Sequence, residues 1–455
     1  MNPGPRIQKI LAVPATGAGY YEDLAALQAE HVALPQRFTA TPVTPGFRAV
    51  REVAEAVSVG LVLDTGQVAW GDCVAVSYSG KAGREAVFRT EEGLAAIREV
   101  VTPLLEGQVL SSFRTLAAQL ESPDRATVEP QPQPTSEAEV QDPSRRALLT
   151  FMSRAFQDTA QPIPHSPDPN PLHTAIRYGV SQALLGATAL AQGRTMAEVI
   201  VDEWELARPT APIPIHAQSG AERYYNAEKM IVRRVASLPH ALVDDVVGQL
   251  GKEGNELTRY IRWLKGRIGE LADGDYAPTI HLDLHGALGQ IYDNELGRML
   301  GQLYAWESAA RPYKLRIESP MILQSREAQI EAMHTLRGYI RMRNMQVQLV
   351  VDEWANTLDD IRAFVEAGAA DMVQIKMPDL GSIHNAIEAV LVCKAGGVGA
   401  FLGGSYAETD ISARVSAHVA LAAGADLIIA KPGMGVDEAI SLTQNEMART
   451  LAVID

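Results

Sequence analysis

From about residue 212 onward the sequence repeats one pattern, a short apolar run followed by a segment with helical periodicity. The runs are almost continuously apolar, as is typical of parallel strands that helices cover. Eight such runs occur, at 212–218, 238–243, 279–285, 314–319, 347–353, 372–377, 399–404 and 427–432. Eight strand–helix units predict a closed TIM-like (β/α) barrel. An open doubly wound sheet is the alternative, but no Gly-x-Gly-x-x-Gly motif follows a strand to favour it.

The first part of the chain has a different pattern, typical of an α+β domain. Two apolar runs within residues 58–76 flank an Asp-Thr-Gly turn, which predicts a hairpin. Residues 91–107 have apolar side chains at helical spacing and end at a glycine, and residues 172–192 predict a long apolar helix.

A segment poor in large apolar residues separates these two parts. Residues 121–145 are rich in Pro, Gln and Glu, and a second Pro-rich stretch covers 162–171. Such a composition cannot bury enough surface to offset the entropy of ordering, so we expect an exposed insertion at about 121–170. We therefore predict an N-terminal α+β capping domain over 1–170, then a helical lead-in and the barrel over 171–455.

Charge and composition exclude several classes of partner. The formal net charge is −15 and no Lys/Arg-rich run is present, which argues against binding to nucleic acid or to an anionic membrane. No apolar run approaches the roughly 20 residues needed to span a bilayer. The two cysteines, Cys73 and Cys393, make a disulfide framework improbable. We expect a cytoplasmic protein without a signal peptide.

Three acidic residues end consecutive predicted strands. Asp283, Glu318 and Asp352 are separated by 35 and 34 residues, one strand–helix unit each. Because adjacent strand ends lie about 5 Å apart, the three carboxylates should converge where barrel active sites lie. A divalent cation would relieve their repulsion, and oxygen ligands favour Mg²⁺ or Mn²⁺. Each acid taken alone could instead be a helix cap or a surface residue.

A lysine ends the next predicted strand. Lys376 follows an apolar run, and Gln374 should face the same side two residues earlier. A cation nearby should lower the pKa of a lysine from about 10.4 toward neutrality, which makes Lys376 a candidate general base. A metal with a lysine base suits proton removal from carbon next to a carboxylate. The alternative is a lysine that extends to solvent at the barrel rim.

Several motifs resemble the 3-methylaspartate ammonia-lyase family of the enolase superfamily over nearly the whole chain. The motifs are GDCVAVSYSG (71–80), HTAIRYGVSQALL (173–185), AQSGAERYYNAEKMI (217–231), LPHAL (238–242), RIESP (316–320), VVDEWANT (350–357), VQIKMPDLG (373–381) and LIIAKPGMGVDEA (427–439). The resemblance implies ammonia removal from an amino diacid, 3-methylaspartate or a close analogue, to give mesaconate. It also implies a homodimer, Mg²⁺ and activation by a monovalent cation such as K⁺.

The resemblance also implies a role for each matched residue. Asp283, Glu318 and Asp352 match metal ligands, and Lys376 matches the base that removes the C3 proton. The remaining matches are with groups that contact the substrate, and His240 is placed opposite the lysine. These are His240, Gln218, Gln374, Ser405, Tyr406 and Ser77. Without the resemblance, His240 could equally be a hydrogen-bonded histidine of the barrel core.

The chain departs from the family pattern around the substrate. The loop after the seventh strand reads GGSYAET (403–409), where the family usually has Gly-Gly-Thr-Cys-Asn-Glu-Thr. Ser405 keeps a hydroxyl, Tyr406 replaces a smaller Cys, and Ser77 replaces a Gln. Three further changes replace a Phe, a Tyr and a Leu; they are His216, Phe401 and Ile429. We therefore expect retained chemistry with an altered choice of amino acid.

Two other functions remain open from the sequence. One is another enolase-superfamily reaction, dehydration or racemisation of an amino or hydroxy acid. A base on the seventh strand would favour it, but GAFLGG (399–404) offers none. The other is a non-catalytic binding barrel, in which Lys376 would be dispensable.

Overall fold

The computed structural model describes residues 4–29, 32, 34–122, 170–272 and 274–454. These residues form a three-stranded antiparallel sheet and a closed eight-stranded parallel barrel. Most of the predicted insertion at 121–170 lies outside the described residues.

The N-terminal sheet has the strand order β1-β2-β3. Its strands are β1 Ile7–Glu22, β2 Arg51–Leu63 and β3 Val68–Cys73. The antiparallel pairing of β2 with β3 confirms the predicted hairpin. At its turn Gly66 has φ +85°, a left-handed conformation that glycine adopts at little cost.

Short helices surround this sheet. The predicted helix at 91–107 is confirmed, and it includes one π-helical turn. The helical segments before the insertion are Leu24–Ala29, Leu34–Phe38 (3₁₀), Thr90–Ala96, Ile97–Val101 (π), Thr102–Leu105 and Phe113–Glu121.

The helix Thr174–Gln192 joins the sheet to the rest of the molecule, and Met196–Glu203 follows it. Glycines allow the helix to lie against β3. A Cβ atom on Gly71 would come 2.1 Å from the carbonyl oxygen of Gly179, and one on Gly179 would come 2.3 Å from the backbone nitrogen of Cys73. The two backbones therefore touch directly, which locks the sheet onto this helix.

The barrel confirms all eight predicted strands in their predicted order. Each strand pairs in parallel with the next along the chain, and the last pairs with the first. The strands are β4 Ile215–His216, β5 Ser237–His240, β6 Thr279–Asp283, β7 Leu315–Glu318, β8 Gln348–Val351, β9 Met372–Ile375, β10 Gly399–Leu402 and β11 Leu427–Ile429.

Helices lie between successive barrel strands, as the apolar periodicity predicts. They are Arg223–Val232, Val246–Leu250 (π), Asn255–Leu271, Ala287–Ile291, Leu296–Ala310, Arg326–Met342, Leu358–Glu366, Ile383–Ala395, Asp410–Ala423 and Val436–Ile454. In the part of the chain that the structure describes, no helix has the length and apolarity required to cross a bilayer.

Two apolar clusters fill the barrel region. The larger one joins strands to the surrounding helices and includes Val351 and Val373. The smaller one consists of strand residues alone, Val350, Met372, Phe401, Leu427 and Ile429. Because neighbouring residues of a strand face opposite sides, the smaller cluster fills the barrel interior.

Candidate active site

The predicted acids and the lysine lie together at the carboxyl ends of four adjacent strands. Asp283 and Glu318 are the last residues of β6 and β7 and pair in register, while Asp352 and Lys376 directly follow β8 and β9. All four are buried. Nine of the ten predicted site residues line one cavity, and Glu318 is fully buried beside it. The nine are Ser77, Gln218, His240, Asp283, Asp352, Gln374, Lys376, Ser405 and Tyr406.

Asp352 lies between two cationic side chains. Lys376 Nζ donates to its Oδ2 at 2.6 Å, and Arg84 Nη2 donates to its Oδ1 at 3.3 Å. Burial alone would raise the pKa of Asp352, but Lys376 and Arg84 outweigh burial and hold that pKa below its ordinary value. Burial lowers the pKa of Lys376, but the charge of Asp352 outweighs it and the pKa is raised. The sequence analysis predicted a lowered pKa for Lys376 on the assumption that a cation lies nearby. In the structure its nearest charged partner is the Asp352 carboxylate, which raises the pKa.

Arg84 was not among the predicted site residues. It lies in the loop after β3, and its Nε also donates to Asp379 Oδ2 at 2.8 Å. The N-terminal region thus places a buried cation against the barrel. The loop has no apolar periodicity, so no sequence pattern marked this residue.

Asp283 and Glu318 lie among histidines. His240 Nε2 is 3.4 Å from Asp283 Oδ2, and His281 Nε2 is 2.7 Å from Glu318 Oε2. Gln374 donates to Glu318 Oε1. Burial, followed by the charges of Asp283 and Asp352, raises the pKa of Glu318 well above its ordinary value. Three carboxylates are therefore crowded enough for one to favour its protonated form.

The side chains of this region offer a compact set of donor atoms. One ligand atom each from His240, Asp283 and Glu318 lies within 4.8 Å of the others. Asp352 is not part of that set, because its two oxygens face Lys376 and Arg84.

A further ionisable cluster lies beside Asp283 and was also not predicted: His285 lines the cavity, and Glu353 is buried next to it. His285 Nδ1 is 3.7 Å from Asp283 Oδ2 and 3.4 Å from Glu353 Oε1. Ser319 donates to the other oxygen of Glu353. The adjacency of Asp352 and Glu353 was visible in the sequence, but successive residues of a strand face opposite sides and only one was assigned to the site.

The backbone around these groups adopts an uncommon conformation. Five non-glycine residues at the ends of β5–β8 have positive φ: His240 (62°), Ala241 (46°), His285 (49°), Ser319 (45°) and Trp354 (68°). Such conformations cost about 1–3 kcal/mol each and cluster at functional sites. Their concentration at one end of the barrel agrees with the position of the cavity.

Comparison with known proteins decides the family. The model of the methylaspartate ammonia-lyase N-terminus matches residues 5–205, and that of the C-terminus matches residues 208–455. The chain belongs to the methylaspartate ammonia-lyase family. Methylaspartate ammonia-lyase 2 of Carboxydothermus hydrogenoformans is 42% identical over 449 residues, which cover 99% of this chain and 98% of that protein.

Solved structures of the methylaspartate ammonia-lyase family share the fold. That of the Citrobacter amalonaticus enzyme, which contains (2S,3S)-3-methylaspartic acid, has a TM-score of 0.85 and 38% identity, with 99% of each chain covered. The Mg complex of β-methylaspartase from Clostridium tetanomorphum has a TM-score of 0.82 and 37% identity, again with 99% of each chain covered. The predicted family, enzyme class and fold, a closed TIM-like barrel with an N-terminal α+β domain, are confirmed.

Four of the six residues in which the chain departs from the methylaspartate ammonia-lyase pattern line the same cavity. Two of them, Ser77 and Ser405, are neighbours, with their hydroxyl oxygens 3.5 Å apart. Tyr406 and Ile429 also line the cavity. Phe401 does not line it; its ring packs against that of His216 with centroids 5.3 Å apart.

A buried ion pair supports the Ser405–Tyr406 loop. Glu408 accepts from the Ser405 backbone N–H at 2.7 Å, from the Tyr178 hydroxyl at 2.6 Å and from Lys431 Nζ at 3.0 Å. The loop is therefore held from the helix Thr174–Gln192 and from the end of β11. Lys431 follows an apolar run, as Lys376 does, and this shared pattern could have identified it from the sequence.

Two glutamine side chains of the cavity have carbonyl oxygens that could accept hydrogen bonds from a polar ligand. The Oε1 atoms of Gln218 and Gln374 are buried, and neither has a hydrogen-bond partner among the described residues. Both side chains line the cavity. Since a buried unpaired polar atom is costly, these oxygens are suited to a ligand that donates hydrogen bonds.

Proposed function

We propose that this chain is a Mg²⁺-dependent carbon–nitrogen lyase that removes ammonia from 3-methylaspartate, or from a close 3-substituted aspartate. The product of 3-methylaspartate would be mesaconate. The carrying observation is the lysine: Lys376 Nζ lies 2.6 Å from Asp352 and lines the cavity that Asp283 also lines. The (2S,3S)-3-methylaspartic acid in the Citrobacter amalonaticus relative supports the same substrate class here.

Asp283 and Glu318 would hold the metal ion together with Asp352, which would have to exchange a contact with Lys376 or Arg84 for one with the metal. Their oxygens are hard ligands suited to Mg²⁺, with Mn²⁺ as a second candidate. The raised pKa of Glu318 fits this assignment, since burial and two neighbouring carboxylates leave negative charge without full compensation. A bound divalent cation would supply charge neutralisation for the substrate carboxylate, which makes the adjacent C–H bond more acidic. The Clostridium tetanomorphum relative was solved as a Mg complex, which supports Mg²⁺.

Lys376 would act as the general base. The contact with Asp352 favours the charged ammonium; a cation held by Asp352 would weaken that effect, so that the neutral Nζ can take the proton from C3. The C3–H electron pair is then delocalised into the adjacent carboxylate. That pair then forms the C2=C3 double bond while the C2–N bond breaks and ammonia leaves. Asp352 and Lys376 are 2.6 Å apart, so the acid positions the amine at the edge of the cavity.

The remaining predicted residues would bind and orient the substrate. His240 would hydrogen-bond the metal-bound carboxylate of the substrate from the side of the cavity opposite Lys376. Gln374 would contact the same substrate carboxylate. Gln218 would hold the other end of the substrate through an amide whose oxygen has no partner in the described residues. Ser77, Ser405 and Tyr406 would contribute hydroxyl groups on the facing wall.

The assay for this function is ammonia release from purified protein with Mg²⁺. A panel of aspartates that differ at C3 should identify at least one substrate, with absorbance from the unsaturated diacid. The matched control is Lys376→Ala, which should be inactive on every member. Absence of ammonia from aspartate, 3-methylaspartate and all other members would reject the proposal.

Four further assignments belong to this proposal. The protein would be a cytoplasmic homodimer, activated by K⁺, with a capping domain that ends near residue 170. Sedimentation velocity should give twice the chain mass of 49.1 kDa. Replacing K⁺ by a bulky organic cation in the assay should lower turnover.

A further inference from the structure

A chain of buried polar groups runs from the barrel interior to the cavity. Ser237 Oγ lies 3.0 Å from His216 Nδ1, and His216 Nε2 lies 3.1 Å from His240 Nδ1. His240 Nε2 in turn lies 3.4 Å from Asp283 Oδ2. Ser237 and His216 are almost fully buried, whereas His240 and Asp283 line the cavity.

The last group of this chain limits the directions of the hydrogen bonds in it. A carboxylate oxygen can only accept, so His240 Nε2 must carry a proton to face Asp283 favourably. With a single proton on His240, its Nδ1 is bare and accepts from His216 Nε2–H, and His216 Nδ1 accepts from the Ser237 hydroxyl. The opposite direction would put a bare nitrogen against the carboxylate or require a proton on both nitrogens of His240.

His216 is well fixed for this task. Its ring packs on His281 with centroids 4.5 Å apart, and its edge meets Phe401. Burial, followed by the neighbouring imidazoles, lowers the pKa of His216 well below its ordinary value, so the ring is neutral. A neutral imidazole can donate from one nitrogen and accept at the other, as the chain of hydrogen bonds requires.

The same three histidines could be considered as a metal site, because His216, His240 and His281 have ligand atoms within 4.8 Å of one another. Most of their nitrogens have partners, however. Both nitrogens of His216 have partners and His281 Nε2 is paired with Glu318, while His281 Nδ1 has no hydrogen-bond partner among the described residues. With both nitrogens of His216 engaged, the three rings do not offer three free ligand atoms.

We propose that His216 is a positioning residue that holds His240 as the Nε2–H tautomer, with this N–H directed at the Asp283 side of the cavity. The role of His240 toward the substrate rests on the function proposed above, whereas the tautomer does not. The family pattern has a Phe at this position, which cannot donate a hydrogen bond. In this chain, His216 would therefore fix the tautomer of His240, which a Phe at the same position could not do.

The test compares His216→Phe with His216→Gln in the Mg²⁺-loaded protein. His216→Phe keeps a ring of similar size but removes the donor, while His216→Gln retains an N–H of similar reach. Nitrogen NMR with labelled histidine identifies which ring nitrogen of His240 carries the proton, and a spectrum of His240→Gln assigns the signals. The wild type should show Nε2–H, His216→Phe a mixture of tautomers, and His216→Gln the wild-type pattern.

Kinetics provide the second readout. Loss of a group that orients a functional residue typically costs about 10- to 100-fold. We expect kcat of His216→Phe to fall within that range, with a smaller change in KM, an unchanged melting temperature and recovery of most of the loss in His216→Gln.

The proposal is overturned by a wild-type His240 that carries a proton on Nδ1, whether or not Nε2 is also protonated. It is also overturned if His216→Phe leaves either the tautomer or kcat unchanged, or if His216→Gln recovers neither. If the wild type releases no ammonia from any substrate tested, the proposed function fails, but the tautomer measurement still decides the role of His216.

Discussion

At the scale of single residues, the site depends on charges placed in contact inside a buried cavity. Asp352 accepts hydrogen bonds from both Lys376 and Arg84, and Arg84 also pairs with Asp379. Any one substitution therefore changes several pKa values at once. A useful variant must separate metal binding from charge balance.

Asp352→Asn and Asp379→Asn form such a pair. Both remove a negative charge that contacts Arg84, but only Asp352 is a proposed ligand. We expect calorimetry to show Mg²⁺ affinity reduced by at least 10-fold in Asp352→Asn, because a neutral amide oxygen is a weaker ligand than a carboxylate. Asp379→Asn should bind Mg²⁺ much closer to the wild-type affinity. Equal affinities in the two variants would contradict the ligand assignment.

At the scale of elements, direct backbone contact joins the N-terminal sheet to the helix Thr174–Gln192. Two glycines of that helix have different surroundings. A Cβ on Gly179 would lie 2.3 Å from the Cys73 nitrogen, while a Cβ on Gly186 would lie 3.4 Å from the Ala69 Cβ. The first contact is prohibitive because both partners belong to regular structure, and the second is ordinary packing.

Gly179→Ala should therefore destabilise the protein and Gly186→Ala should not. Overpacking of this kind costs about 1–3 kcal/mol or more. Gly→Ala in a helix otherwise gains up to about 1 kcal/mol. Denaturant unfolding should show a lower midpoint for Gly179→Ala and an unchanged or higher one for Gly186→Ala. Similar midpoints for both variants would be inconsistent with the close approach of helix and strand.

Elements were predictable from the sequence where apolar periodicity defines them. The helix Thr174–Gln192 lies within two residues of the bounds predicted at 172–192, and the carboxyl ends of β6–β9 lie where Asp283 and Lys376 indicated. The first barrel strand is shorter than the apolar run at 212–218, since Pro212 and Pro214 have no N–H for a sheet hydrogen bond.

The side-chain partners were less predictable. Arg84, Glu353 and Glu408 act through contacts between distant parts of the chain, and no local pattern encodes such contacts. The direction of the Asp352 carboxylate, toward Lys376 and Arg84, likewise follows from tertiary packing.

At the scale of the whole molecule, the N-terminal region completes the active site. Arg84, Ser77 and Tyr78 come from the segment after β3, and all three reach the barrel mouth. Arg84 is an electrostatic link between the two regions, since it is buried and pairs with two barrel carboxylates.

Removing this cation should leave those carboxylates without adequate compensation. Breaking a buried ion pair on one side typically costs about 3–5 kcal/mol. We expect Arg84→Met to lower the melting temperature markedly and the double variant Arg84→Met/Asp379→Asn to recover part of the loss. Additive effects of the two substitutions, measured by calorimetric unfolding, would show that Arg84 and Asp379 are not coupled in this way.

Lys376 is the residue whose role can be tested most directly. The measurement is solvent-deuterium exchange at C3 of the amino diacid, followed by NMR with Mg²⁺ present. Wild-type protein should incorporate deuterium. In Lys376→Ala the exchange rate should be at least about 100-fold lower, because a general base usually contributes that much. The variant should keep its fold and its Mg²⁺ affinity. Exchange at the wild-type rate in Lys376→Ala would show that another group removes the proton.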